Sequence, residues 1–289
     1  MCDEHFVEDL ERYANRLTRR RFGALSAGAG IAMMLPPVVN AQAVVERDVE
    51  IETPDGVADA YFVHPAEGAH PAVLVWPDAL GLRPAFREMG KRLAQSGYSV
   101  LTVNPFYRRA RAPIVPEGAT FQDESVRNVV MPLMQSLTPE THVTDARAFI
   151  GWLDRQNAVD TRRKAGTTGY CMGGPIVMRT AATLPDRIGA AASFHGGGLV
   201  TNGEDSPHLL IPRMKASFLI AIAENDDERE PHVKDVLRQA FDDAGLSAEI
   251  EVYQGAAHGW CPPDMPVYNE EQAERAWSRL LALFETALA

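Results

Sequence analysis

From residue 44 to the C-terminus, short runs rich in β-branched and apolar residues alternate with longer amphipathic stretches. Strands joined through helical crossovers pair in parallel, so the alternation predicts an α/β fold in one domain, a mostly parallel central sheet with helices on both faces. Ala72–Trp76 is apolar throughout, as a strand buried on both faces requires. The opening runs 44–52 and 58–64, joined by the turn Pro54-Asp55-Gly56, suit an exposed antiparallel edge. Helices are expected at 83–95, 142–155, 174–184, 233–244 and 270–287, with strands at 99–103, 165–169, 188–194, 217–223 and 248–253 between them. With 46% hydrophobic residues in 289, such a chain can bury a large core. Residues 104–138 break the pattern, with Arg108, Arg109 and Arg111 among prolines and no sustained periodicity before Val129. Long segments of this kind in compact domains are commonly functional, and this one reads as a lid or pocket wall.

The chemistry begins at Gly169-Tyr170-Cys171-Met172-Gly173-Gly174, where a strand meets a helix. Gly-x-nucleophile-x-Gly at such a junction is the nucleophile elbow. The turn is so tight that the residues two before and two after the nucleophile must have almost no side chain. In return the nucleophile stands clear of the sheet, and the N–H of the next residue, Met172, points where an oxyanion would form. The helix start favours the thiolate of Cys171. Because cysteine is also a common small core residue, the assignment leans on residues further along the chain. The strand at 217–223 ends in Glu224-Asn225-Asp226-Asp227-Glu228, and the strand at 248–253 leads into Gly255-Ala256-Ala257-His258-Gly259-Trp260. Nucleophile, acid and histidine, each after a strand, is the chain order of the α/β-hydrolase fold. Cys171 is therefore read as nucleophile and His258 as base. Asp226 is read as the acceptor for the second N–H of the imidazole, with its acidic neighbours as a solvated turn. His195, in His195-Gly196-Gly197-Gly198 after another strand, is read as part of a loop turn.

No metal or cofactor is expected: the sequence has no His-Glu-x-x-His, no Cys-x-x-Cys and no Gly-x-x-x-x-Gly-Lys. A formal net charge of −11 argues against a nucleic-acid partner. It also means that an anionic substrate would have to be drawn in by local arginines, because the diffuse field repels it.

These motifs resemble the dienelactone hydrolase family, a cysteine-using branch of the α/β-hydrolases, over nearly all of residues 45–289. The residues that carry the resemblance are Gly-Tyr-Cys-Met-Gly-Gly at 169–174, Asp226, and Gly-Ala-Ala-His-Gly at 255–259. The resemblance implies hydrolysis of small carboxylic esters or lactones through a thioester. The family glutamate that holds the resting thiol is matched by Asp78 in Trp76-Pro77-Asp78-Ala79-Leu80-Gly81-Leu82, so Asp78 is the implied thiol-tuning carboxylate, one methylene shorter. By the same analogy Ala79 N–H is the second oxyanion donor beside Met172. The type enzyme holds its substrate carboxylate with two arginines. Tyr107-Arg108-Arg109 fits the first position and implies Tyr107 and Arg109 as substrate-binding residues. After the histidine the sequence reads Trp260-Cys261-Pro262-Pro263, which leaves Trp260 at the implied pocket, no second arginine, and the dienelactone itself unsupported.

Residues 1–43 read as an address. Thr18-Arg19-Arg20-Arg21-Phe22 precedes a small and apolar run and then Ala41-Gln42-Ala43, the order of a basic region, an apolar region and a cleavage site. Paired arginines before the run resemble a twin-arginine signal, which implies the twin-arginine export machinery as a transient partner and a periplasmic or secreted product. The run is short for a membrane span of about 20 residues, so no stable anchor is expected after cleavage. The address carries five basic and five acidic residues, so the mature domain, 44–289, keeps the whole net charge of −11. It would also keep only Cys171 and Cys261 of three cysteines. Two other functions use the same residues: a thiol redox protein in which Cys261 resolves Cys171, and a non-catalytic binding protein on this fold.

Overall fold

A computed structural model of the chain describes residues 34–289. The paired arginines and most of the apolar run of the expected signal lie outside the described residues. Eight strands form one sheet: β1 Val44–Thr53, β2 Gly56–Pro65, β3 Ala72–Trp76, β4 Ser99–Val103, β5 Ala165–Tyr170, β6 Ile188–Phe194, β7 Ser217–Ala223 and β8 Ala248–Tyr253. Their order in space is β1-β2-β4-β3-β5-β6-β7-β8. The pairings β1–β2 and β2–β4 are antiparallel and all others are parallel. The helices are α1 Pro84–Gln95, α2 Glu124–Gln135, α3 Pro139–Leu153, α4 Gly173–Thr183, α5 Glu224–Arg229, α6 Val233–Asp243 and α7 Glu270–Ala287, with a 3-10 turn at Pro207–Arg213.

Alternation along each strand sends neighbouring side chains to opposite faces of the sheet. Leu74 and Trp76 join the core under α3, α4 and α6, where the rings of Trp76 and Phe149 lie 5.7 Å apart. Val73 and Val75 join the core under α1 and α7, where Phe86 meets Tyr170 and Tyr98 meets Phe284. The two-faced burial expected of an α/β sheet follows directly from this alternation.

Three elements depart from the sequence reading. The antiparallel start is present, but only β1 is an exposed edge; β2 sits between β1 and β4, and Ala60 to Val63 are buried. Helix α3 starts at Pro139, not at 142, because Thr138 and Thr141 exchange side-chain and backbone hydrogen bonds in a capping box. The segment 104–138 is not irregular throughout, since α2 occupies its end and buries Val126, Val130 and Leu133 at helical spacing. Pro132 inside that helix and its short length obscure the period in the sequence. Val126 and Val130 pack in a third, smaller core with Ala79, Leu80, Phe121, Ala257 and Met265, so α2 covers the loops that follow β3 and β8. Among the described residues no helix is long and apolar enough to cross a membrane.

Candidate active site

Cys171 directly follows β5 with φ +51°, the left-handed region that costs a non-glycine residue on the order of 1–3 kcal/mol. The surrounding glycines show what holds it there. A Cβ on Gly169 would sit 2.4 Å from the carbonyl oxygen of Gly173, and a Cβ on Gly173 would sit 2.5 Å from that of Trp76. Backbone cannot move out of the way, so the elbow closes only with glycine at both places. Met172 follows at the start of α4.

The backbone N–H of Cys171 is shared by two acceptors, the carbonyl of Phe194 at 3.0 Å and Nδ1 of His195 at 3.1 Å. An accepting Nδ1 fixes the tautomer of His195, whose proton then sits on Nε2. Burial pushes this imidazole well below the usual histidine range, and the neighbouring His258 pushes it further, so the ring is neutral. His195 has φ +41° and packs its ring 5.0 Å from that of His258 and 5.1 Å from that of Trp260. It is thus a buried member of the site and more than the loop turn read from the sequence.

His258, in the loop after β8, is buried, and its Nδ1 lies 2.7 Å from Oδ2 of Asp226. Its backbone N–H donates to Oδ1 of Asn225 at 2.8 Å. The neighbouring acids are occupied elsewhere: Asp227 accepts from Lys234, and Glu224 accepts the N–H of Gly255 at 3.1 Å. Asp226 also accepts from Arg229. The acid stands in the one-turn helix α5, not in an open loop, and Glu224 N–H donates to Ala256 O, which ties that turn to the histidine loop.

Cys171, His195, His258 and Ala79 line one cavity, walled on its apolar side by Leu80, Phe121 and Met265. Asp78 is also at this cavity, but its carboxylate is taken up by Arg83: Nη1 donates to Oδ1 at 2.6 Å and Nη2 to Oδ2 at 2.9 Å. Oδ1 accepts the N–H of Leu80 as well, at 2.9 Å. Arg83 continues to Asp264, with Nε to Oδ2 at 2.6 Å and Nη2 to Oδ1 at 3.0 Å. One buried guanidinium therefore joins the loop after β3 to the loop after β8.

The residues implied for substrate binding lie elsewhere. Tyr107 donates to Asp145 at 2.8 Å and meets the hydroxyl of Thr53, inside the core under α3, while Arg108 is held by Asp145 and Asp55. Arg109 is exposed, and Arg111 pairs with Glu50 at the surface. Trp260 is fully buried, stacked on Tyr253 and edge-on to His195, so it supports the histidine loop without facing the cavity. Tyr-x-Arg is a short pattern, and here Tyr107 and the intervening Arg108 pin the loop after β4 while Arg109 is exposed. Cys171 and Cys261 are buried thiols that are not joined to each other. Cys261 lines a different cavity, beside Tyr170, Phe194 and Trp277, and burial raises its thiol well above the ordinary range.

His195, Arg83, Asp264 and Phe121 were not read as site residues in the sequence. His195 alone carried a signal, a histidine directly after a strand; Arg83 and Asp264 are 181 positions apart and meet only in the fold.

The sequence profile of the dienelactone hydrolase family matches residues 58–288. A relative from Methylorubrum extorquens named "Putative carboxymethylenebutenolidase" is 26% identical over 288 residues, covering 95% of this chain and 96% of its own. One of the same name from Escherichia coli K12 is 26% identical, covering 78% and 81%. Among solved structures, a "Putative Dienelactone Hydrolase" from Klebsiella pneumoniae superposes with a TM-score of 0.72 at 23% identity, covering 85% of this chain and all of its own. The strand order, the elbow and the family profile coincide along one stretch of sequence: the chain belongs to the dienelactone hydrolase family and has the α/β-hydrolase fold.

Proposed function

We propose that this protein hydrolyses small carboxylic esters or lactones through Cys171, His258 and Asp226. The observation that carries the reading is the 2.7 Å contact of His258 Nδ1 with Asp226, on a histidine that shares its cavity with a cysteine at a strained elbow. His258 takes the proton of the Cys171 thiol, the thiolate attacks the carbonyl carbon, and the C=O π electrons move onto oxygen. The N–H groups of Met172 and Ala79 are the intended donors to that oxyanion. Collapse expels the alcohol, which takes its proton from the His258 imidazolium, and leaves a thioester. His258 then removes a proton from water, the hydroxide attacks the thioester, and the thiol departs. Asp226 holds the imidazole in the tautomer with the proton on Nδ1 and stabilises the imidazolium.

The test is a burst assay with 4-nitrophenyl acetate and a small unsaturated lactone under reducing conditions. Turnover that disappears in Cys171→Ala supports the reading, and equal turnover in both proteins sinks it.

We also propose export through the twin-arginine route, with cleavage after Ala43 releasing a single domain, 44–289. Residues 41–43 are exposed and lie immediately before β1, so cleavage there would leave the sheet intact. Replacing Arg19, Arg20 and Arg21 by lysine should retain the full-length precursor in the cytoplasm; unchanged export and processing would refute the route.

A further inference from the structure

The charges around the cavity decide what it can accept. Among its described lining residues, Asp78 is the sole charged side chain, and the sole cation bonded to it is Arg83. That guanidinium is fully spoken for, with Nε, Nη1 and Nη2 all donating to the carboxylates of Asp78 and Asp264. Arg83 is buried, which alone would weaken its proton affinity, yet the two carboxylates outweigh burial and keep it charged. The cluster therefore sums to one negative charge. It reaches the cavity of the thiol on one side through Asp78 and the histidine loop on the other through Asp264, next to the cavity residue Met265. His195, which shares the wall with His258 and Cys171, is held neutral by burial. The arginines of the 108–111 segment are bound to acids or exposed elsewhere and bring no positive charge to the cavity. A carboxylate entering this space would lose water, find no lysine or arginine among the described lining residues, and meet a net negative neighbour in a poorly screened setting.

We propose that this site selects uncharged acyl substrates and that the Asp78–Arg83–Asp264 cluster turns carboxylate-bearing esters away. The proposal rests on the ester-hydrolase reading above. It assigns Arg83 and Asp264 to specificity: they touch no reacting atom, but they set the charge seen by a substrate beside Cys171. The substrate class is a small neutral ester or lactone whose apolar part lies against Leu80, Phe121 and Met265.

The experiment compares methyl 4-acetoxybenzoate with 4-acetoxybenzoate, one neutral and one anionic at neutral pH, by release of the phenol. Each kcat/KM is divided by the hydroxide-catalysed rate of the same ester. The wild type should prefer the neutral ester by at least about tenfold. In Asp264→Asn the cluster becomes neutral overall, and the preference should narrow by roughly threefold or more, chiefly through better use of the anion. Asp235→Asn, an exposed change of the same net charge, should leave the ratio where it was. Raising the salt concentration gives a readout that needs no variant: a ratio set by the buried cluster should move little, since buried charges are weakly screened. Equal use of both esters, or preference for the anion, overturns the proposal. So does a preference that Asp264→Asn leaves untouched, or one that collapses in high salt. If the wild type cleaves neither ester, or Cys171→Ala cleaves both as well, the hydrolase reading itself has failed, and the two failures are distinct.

Discussion

Nδ1 of His195 accepts the backbone N–H of Cys171 at 3.1 Å, so a second histidine, not only the catalytic candidate, bears on the nucleophile. Because the same N–H also reaches the Phe194 carbonyl, losing the imidazole weakens this contact without orphaning a donor. Such a change is worth about 1 kcal/mol. His195→Leu is expected to lower kcat/KM for 4-nitrophenyl acetate about fivefold. His195→Asn, whose side-chain oxygen can accept the bond and which tolerates positive φ, should recover most of the loss. Equal impairment of the two variants would mean that packing against His258 and Trp260, and not the hydrogen bond, is what matters.

The acidic run after β7 offers a sharper comparison. Asp226→Asn should cut kcat by on the order of 10³ or more, since an amide would favour the wrong tautomer of His258. Asp227→Asn removes a half-buried pair with Lys234 and should cost no more than about 1 kcal/mol of stability, with kcat nearly unchanged. Steady-state kinetics on the two variants, side by side, checks the assignment.

His142 makes a prediction about acid. Burial, helped by Arg179 and Arg108 and opposed by Glu140, pushes its pKa down to about 3, and its Nδ1 is buried without a hydrogen-bond partner. The unfolded chain takes up this proton near pH 6.5 while the folded one refuses it until near pH 3. The linked penalty is therefore absent above that upper value, grows as pH falls, and levels off near the lower one. At pH 5 it amounts to about 1–2 kcal/mol. Urea unfolding of His142→Gln at pH 7.5 and pH 5 should show a smaller loss on acidification than the wild type; parallel losses would refute the assignment.

Gly169→Ala should be among the most damaging changes in the chain. The added methyl would meet the Gly173 carbonyl and also lie 2.8 Å from Cγ2 of Val177. A thermal melt should show a drop corresponding to about 3 kcal/mol or more, or no soluble protein. Gly197→Ala, whose Cβ would meet nothing within 4 Å, is the control and should melt near the wild type.

How much of this was legible before the fold depends on the range of each interaction. The sheet was readable because Ala72–Trp76 is buried at every residue and Ser217–Ala223 at all but Ser217 and Ile222, so both runs are apolar on alternate faces alike. The elbow was readable because its steric demand falls within six consecutive positions. Helix α2 was not, since Pro132 breaks a stripe only three buried residues long. Tyr107 and Arg109, implied as carboxylate binders, do not line the cavity: Tyr107 is bonded to Asp145 in the core and Arg109 is exposed, and nothing local in the sequence distinguishes such residues from ones that greet a ligand. Asp78 lines the same cavity as Cys171, but its partner Arg83 belongs to a contact that only the closed fold creates.

The span of the Arg83 to Asp264 contact, 181 residues, has a consequence for the order of assembly. Distant contacts are slow to form because the intervening chain must first be ordered. A chain emerging from the ribosome has its nucleophile elbow and the loop after β3 well before residue 264, but nothing yet to hold that loop against the histidine segment. The reactive cysteine is therefore synthesised long before the cluster that screens it from ionic substrates. The pocket acquires its selectivity only when the final quarter of the polypeptide has been made and folded back.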